Sequence, residues 1–219
     1  MKRAQDKKII QIKIHNLRDF TKDKHKKVDD KPYGGGAGMV LMAEPIVNAV
    51  QSIKLKVKNK FASRRTKVIV FSAKGKQFNQ KMAYDWSKKL NHLILISGRY
   101  EGIDERIKKM LQVSGFKFQE LSIGPYVLTD GDVATMAVIS AVSRLLPGTI
   151  KFESLQEESF FNLIVKKEKV AENNQLEYPH YTRPEILKWK NKEYPVPKVL
   201  LSGNHKKIEE WRNNRRKNL

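Results

Sequence analysis

The sequence contains no cysteine, which excludes disulfide scaffolds, thiolate zinc sites and cysteine nucleophiles together. Long apolar runs are also lacking: none approaches the roughly 18 residues a membrane helix needs. The opening Met1-Lys2-Arg3-Ala4-Gln5-Asp6 has none of the apolar core of a secretory signal. A soluble, cytoplasmic protein without a membrane partner is expected. Acidic residues are few beside basic ones, 23 Asp and Glu against 44 Lys and Arg, for a formal net charge of +21. A surplus of that size points to a polyanion, nucleic acid before an anionic membrane surface. A proteome that uses lysine as its default surface residue produces the same count with no partner at all.

What is present is a chain of 219 residues, 40% apolar and 31% charged, enough for one α/β domain and a small appendage. The first 31 residues hold eleven Lys or Arg and five Asp. Within them Ile10, Ile12 and Ile14 alternate with polar neighbours, which predicts a short half-buried strand. A charged loop leads to the glycine-dense turn at residues 34–38, and Glu44-Pro45 opens a helix that runs to about Lys58. From there strand and helix alternate. Strands are predicted at 67–71, 92–97 and 116–121, and helices at 77–90, 103–111 and 132–146. Apolar strands between helices imply a parallel sheet covered on both faces, with ligands beyond the carboxyl ends of the strands. Three loops fall there, at 72–75, 98–104 and 123–131.

The chain thus reads as a domain over 1–150, a polar linker over 151–177 and a small helical domain over 178–219, with two short helices around Trp189 and Trp211. It closes on Arg212, Arg215, Arg216 and Lys217, suited to phosphate. No internal repeat is found.

Three segments carry chemistry. The glycines at 34–38 read either as a nest of converging N–H groups for an anion or as a plain tight turn; no Lys-Ser/Thr follows, so this is no Walker loop. Gly98-Arg99-Tyr100-Glu101-Gly102-Ile103-Asp104 sets charged residues between glycines directly after a buried strand, where a core has no use for them. The apolar loop from Ser122 to Gly131 suits an uncharged heterocycle held by backbone hydrogen bonds, and suits a buried crossover equally well.

Together with RDFTKDKHKKVDDKPYGGGAGMV, AVSRLLPG, EESF, YPHYTRPE and VLLSGNH, the loops SGRYEGIDER and SIGPYVL resemble the bacterial tRNA (guanine-N1)-methyltransferase family of the SPOUT class. The resemblance runs from about Arg18 to about Trp211, with the motifs in family order. It implies a SPOUT-type parallel sheet with a C-terminal trefoil knot, a homodimer whose active site is shared across the interface, and tRNA as substrate. Activity would be methyl transfer from S-adenosylmethionine to N1 of the guanosine at position 37, beside the anticodon. Carried over, the cofactor would be held by Gly98, Ile123, Gly124, Pro125, Tyr126, Val127 and Leu128, with Tyr100, Glu101, Phe71, Ser72 and Gly131 nearby. Mg²⁺ assists relatives, although no carboxylate cluster here has recognisable metal spacing.

N1 of guanine carries a proton, so attack needs a general base within hydrogen-bond reach. A cation beside O6 stabilises the charge that builds there as the proton leaves. The resemblance assigns the cation to Arg144, a residue that also suits the cation-favouring end of a helix. It assigns the base to Glu158, standing before Ser159-Phe160 where relatives have Asp; the alternative is one more linker charge. Other departures are Pro125 and Asp130 for an acid and a glycine, Ala73 and Ala134 for prolines, and a family first strand with no counterpart here. They sustain a competing expectation, a non-catalytic RNA-binding descendant. A ribose 2′-OH methyltransferase fits the YGGGAG and PHYTRPE segments less well.

Overall fold

The computed structural model describes residues 1–56, 65–151, 154–155 and 177–216. The chain divides into two compact units, Met1–Ile150 and Lys151–Leu219.

The first unit is a parallel three-stranded sheet with helices on both faces. Its elements are α1 (Lys2–Asp6), β1 (Asp29–Asp30), β2 (Val40–Leu41), α2 (Ala43–Lys56), β3 (Thr66–Gln77), α3 (Gln80–Lys89), β4 (His92–Ile96), α4 (Arg106–Val113), β5 (Phe118–Ser122) and α5 (Asp132–Ser143). The sheet order is β4-β3-β5, with both neighbours parallel to β3. The sequence dictates why β3 is central. Val68, Ile69 and Val70 are all buried, and side chains alternate between faces along a strand. Val68 and Val70 pack with Ile46 and Val50 of α2 and Ile107 and Leu111 of α4. Ile69 faces the other way, against Trp86 of α3, Leu121 and Val138 of α5. Each such aliphatic chain contributes roughly 1.5–3 kcal/mol on burial, several times what a surface ion pair provides, so this two-sided stack decides the fold. Helix ends follow from local chemistry: the Asn79 side chain accepts from the Met82 N–H at 2.9 Å to cap α3.

The strand expected at Ile10–Ile14 does not form. The segment leaves α1 as irregular chain, and Ile14 is 94% exposed. Alternation alone makes no strand, because the ladder needs a partner, and no described strand lies beside these residues. The expected loop at 72–75 lies inside β3: Phe71 pairs with Leu121 and so does Lys76, so the four residues between bulge out of the ladder.

In the second unit the helix expected around Trp189 is a hairpin, β6 (Ile186–Trp189) with β7 (Lys192–Pro195). Lys190 and Asn191 both have positive φ, 46° and 59°, which makes the two-residue turn whose twist suits antiparallel strands. Two helices follow, α6 (Lys198–Leu201) and α7 (His205–Arg215), the second capped by the Asn204 side chain on the Lys207 N–H at 3.1 Å. Tyr178 is buried, with the guanidinium carbons of Arg212 and Arg216 at 4.7 and 5.8 Å from its ring centroid. Those two arginines therefore hold the end of α7 to Tyr178 by stacking. The segment 152–153 and 156–176, which contains Glu157 and Glu158, lies outside the described residues.

Candidate active site

The carboxyl ends of β4 and β5 release two loops, residues 97–104 and 123–131, beside one another. They are joined directly. The Gly131 N–H donates to the Gly98 carbonyl at 2.8 Å. A Cβ on Gly131 would stand 2.8 Å from the Gly98 nitrogen and 3.0 Å from Ser97 Cα, so the junction admits only glycine. Beside it the Ser97 hydroxyl donates to Asp132 Oδ1 at 2.5 Å and the Arg99 guanidinium to Asp132 Oδ2 at 3.1 Å. Asp132 opens α5, so this carboxylate ties the first loop to the helix that follows the second.

The Ser97 hydroxyl first, and Arg99 after it, hold the Asp132 carboxyl below its ordinary value against partial desolvation. A depressed carboxyl favours the folded arrangement at neutral pH, and that contribution is lost as pH falls through the depressed value. Arg99 and Asp132 are both more than half exposed, so the effect on ligand affinity is no more than about five-fold. We expect Asp132→Asn to weaken ligand binding at these loops by up to that factor at pH 7, and to flatten the fall in binding expected of the wild type on acidification. Titration calorimetry at two pH values checks it; an Asn variant with the wild-type acid profile removes Asp132 from the account.

A second structure is bonded to the first loop through its backbone. Strands β1 and β2 form a hairpin closed by the glycine turn 34–38. The Glu101 N–H donates to the Met39 carbonyl at 3.1 Å, the Leu41 N–H to Gly102 at 3.0 Å, and the Asp104 N–H to Leu41 at 2.9 Å. Asp104 is fixed in turn by Arg106, whose side chain and backbone bonds hold its carboxyl low.

Of the residues expected around a cofactor, Phe71 and Ile123 are partly buried and pack on the core cluster of Ile69, Trp86, Leu121 and Val138. Ser72 begins the bulge in β3. Gly98 and Gly131 meet as described. Gly124 is buried and donates its N–H to the Ser122 hydroxyl at 3.2 Å, while the Tyr126 hydroxyl donates to the Ile123 carbonyl at 3.3 Å. Pro125 is exposed, Leu128 half-buried, and Tyr100, Tyr126 and Val127 are 58%, 54% and 88% exposed. Glu101 is exposed. Backbone-rich loops that carry apolar side chains and the exposed carboxylate of Glu101 suit a flat heterocycle bearing a cationic tail.

Arg144 stands apart from this. It caps the far end of α5, whose first residue is Asp132. At 1.5 Å per residue the two ends lie roughly 18 Å apart, well beyond the reach of an arginine side chain. Sequence reasoning missed the Ser97–Arg99–Asp132 tie. Its signals were a serine ending an apolar strand and an acid opening an apolar helix, but the pairing spans 33 residues and depends on topology. Among the described residues no group of three or more His, Cys, Asp or Glu could hold a metal ion.

Residues 1–218 match the family described as "tRNA (Guanine-1)-methyltransferase TrmD". The chain is similar to the tRNA (guanine-N(1)-)-methyltransferase of Dictyoglomus turgidum, 48% identical over 213 residues that cover 97% of this chain and 75% of that one. The enzyme of the same name from Carboxydothermus hydrogenoformans is 47% identical over 213 residues, 97% of this chain and 73% of its own. That of Thermomicrobium roseum is 48% identical over 212 residues, 97% and 69%.

Proposed function

The chain belongs to the tRNA (guanine-1)-methyltransferase family and is an enzyme of that type, and from this premise we propose that it methylates N1 of guanosine 37 in tRNA. Family membership over nearly the whole chain carries the reading; the non-catalytic alternative has no support beside it.

The methyl donor in this reading is S-adenosylmethionine, which Phe71, Ile123 and the loops that meet at Gly98 and Gly131 would hold. When bound it supplies a methyl group already activated by a sulfonium. The loop residues Ile123, Gly124, Pro125, Tyr126, Val127 and Leu128 would hold its heterocycle through backbone groups and exclude water. Glu101, with Tyr100 beside it, would face its ribose hydroxyls or its ammonium, a pairing a carboxylate suits. Glu158 would take the N1 proton, and Arg144 would sit by O6 as charge collects there. Positioning of the base in line with the methyl supplies most of the remaining acceleration. Mg²⁺ is a candidate helper.

The finer fold we propose is a trefoil knot in the C-terminal half of the first unit, with the second unit as a small tRNA-binding domain. Pairing into a homodimer accounts for the 18 Å problem: Arg144 of one copy would complete the site formed by the loops of the other. The location follows as cytoplasmic, with tRNA; among the described residues no helix is long and apolar enough to cross a membrane. The net charge of +21 supplies the salt-sensitive, sequence-independent part of tRNA binding.

The deciding test uses transcripts of one tRNA with G or A at position 37 and radiolabelled S-adenosylmethionine. Label should enter the G37 transcript alone, at N1. Equal labelling of both sinks the assignment of the base, and labelling of neither, with cofactor bound, restores the non-catalytic reading.

A further inference from the structure

We propose that Gly38 is a positioning residue for Glu101: the bare face of the glycine is the seat on which the glutamate side chain lies, and it sets where that carboxylate points. The functional half of this rests on the reading of Glu101 as facing the cofactor.

The glycines of the turn are there for two different reasons. Gly34, Gly35, Gly36 and Gly38 all have positive φ, but a Cβ on Gly34 or Gly35 would meet nothing within 4 Å. At those positions only backbone conformation asks for glycine. A Cβ on Gly38 would stand 2.6 Å from Oε1 of Glu101, 2.7 Å from its Cγ and 3.1 Å from its Cδ. Non-bonded carbons are comfortable at about 3.5–4.0 Å, so one of the two must move.

The backbone cannot slide to relieve the clash, because three hydrogen bonds fix the register of the two segments. They run from Glu101 to Met39, from Leu41 to Gly102 and from Asp104 to Leu41. The displacement therefore falls on the Glu101 side chain, which is exposed and free to change rotamer. The chain still folds, with a melting temperature lowered by a few degrees, while the carboxylate leaves its place, and an error of about 1 Å in a positioned group is enough to matter. A residue in the hairpin thus controls a side chain in the loop after β4, some sixty positions later in the chain.

A mutant cycle tests this on the full-length protein. Gly34→Ala imposes the same backbone strain without the side-chain encounter and serves as the reference. Affinity for S-adenosylmethionine, by calorimetry, should fall roughly ten-fold further in Gly38→Ala than in Gly34→Ala, the scale of one charge-assisted contact. Glu101→Ala should lose a similar factor. The double variant should be no weaker than Glu101→Ala by more than the Gly34→Ala factor, because the seat has nothing left to hold. Factors that simply multiply overturn the proposal.

Thermal midpoints read the seat without cofactor. Gly38→Ala should melt roughly 2 °C or more below Gly34→Ala, and adding Glu101→Ala should recover the difference. No recovery overturns the seat. Recovery together with normal cofactor binding by Glu101→Ala leaves the seat standing and defeats only the reading of Glu101 as a cofactor contact.

Discussion

Glu158→Ala should lower turnover by ~10²–10⁴-fold, the usual contribution of a positioned general base, while S-adenosylmethionine affinity stays within about a factor of two. The separation follows from where the interaction is made: a base that meets the N1 proton only as it leaves acts on the transition state, so kcat and kcat/KM fall together. Glu158 is the carboxylate directly before Ser159-Phe160, the place where relatives keep an aspartate, and its extra methylene must fold back to reach the same proton. Glu158→Asp should therefore retain or raise the rate. Glu157→Ala, one residue away, should be nearly silent. The rate should rise with pH until the base is ionised, then level. Single-turnover methylation of a G37 transcript measures all of these. Full turnover by Glu158→Ala would end the assignment and transfer the role to Glu157 or to solvent.

The second large effect concerns Arg144. Alone, Arg144→Ala should lose ~10²–10³-fold, the range for removing one preorganised donor from a developing oxyanion. Its place at the end of α5, roughly 18 Å along the helix from Asp132, allows a sharper experiment. Gly131→Ala should also be inactive on its own, because the added Cβ meets the Gly98 backbone nitrogen at 2.8 Å and parts the two loops. If Arg144 of one copy serves the loops of the other, a mixed dimer of the two variants holds one intact site and one doubly damaged site. Random mixing makes half the dimers mixed, so activity should return to about a quarter of the wild type. If Arg144 serves the loops of its own chain, every site carries a lesion and the mixture stays inactive. Light scattering at micromolar concentration supplies the companion measurement: a monomer contradicts the shared site outright.

Much of the sheet domain was legible in the residues. The β-branched runs at Lys67–Phe71 and His92–Ser97 became β3 and β4, and the helix opened by Glu44-Pro45 became α2. Burial drives these elements, and burial writes its period into sequence. The failures have one cause among them. Ile10, Ile12 and Ile14 have the period of a strand, but a strand exists only with a partner. Around Trp189 the composition permits helix, and two positive-φ residues at Lys190-Asn191 turned the chain into a hairpin instead. Residues 72–75 read as a loop because the β-branched run ends at Phe71, yet Lys76 returns to the same partner, Leu121, that Phe71 had just left.

The candidate site divides along the same line. Ordered motifs alone identified the family and proposed Gly98, Gly131, Arg144 and Glu158 for its site, since residue identity at fixed spacing survives in one dimension. Only the folded chain brought Gly131 against Gly98, tied Arg99 and Ser97 to Asp132 and seated Glu101 on Gly38. Those are relations between residues distant in sequence, set by strand order and by how closely two backbones approach, and no local pattern encodes either.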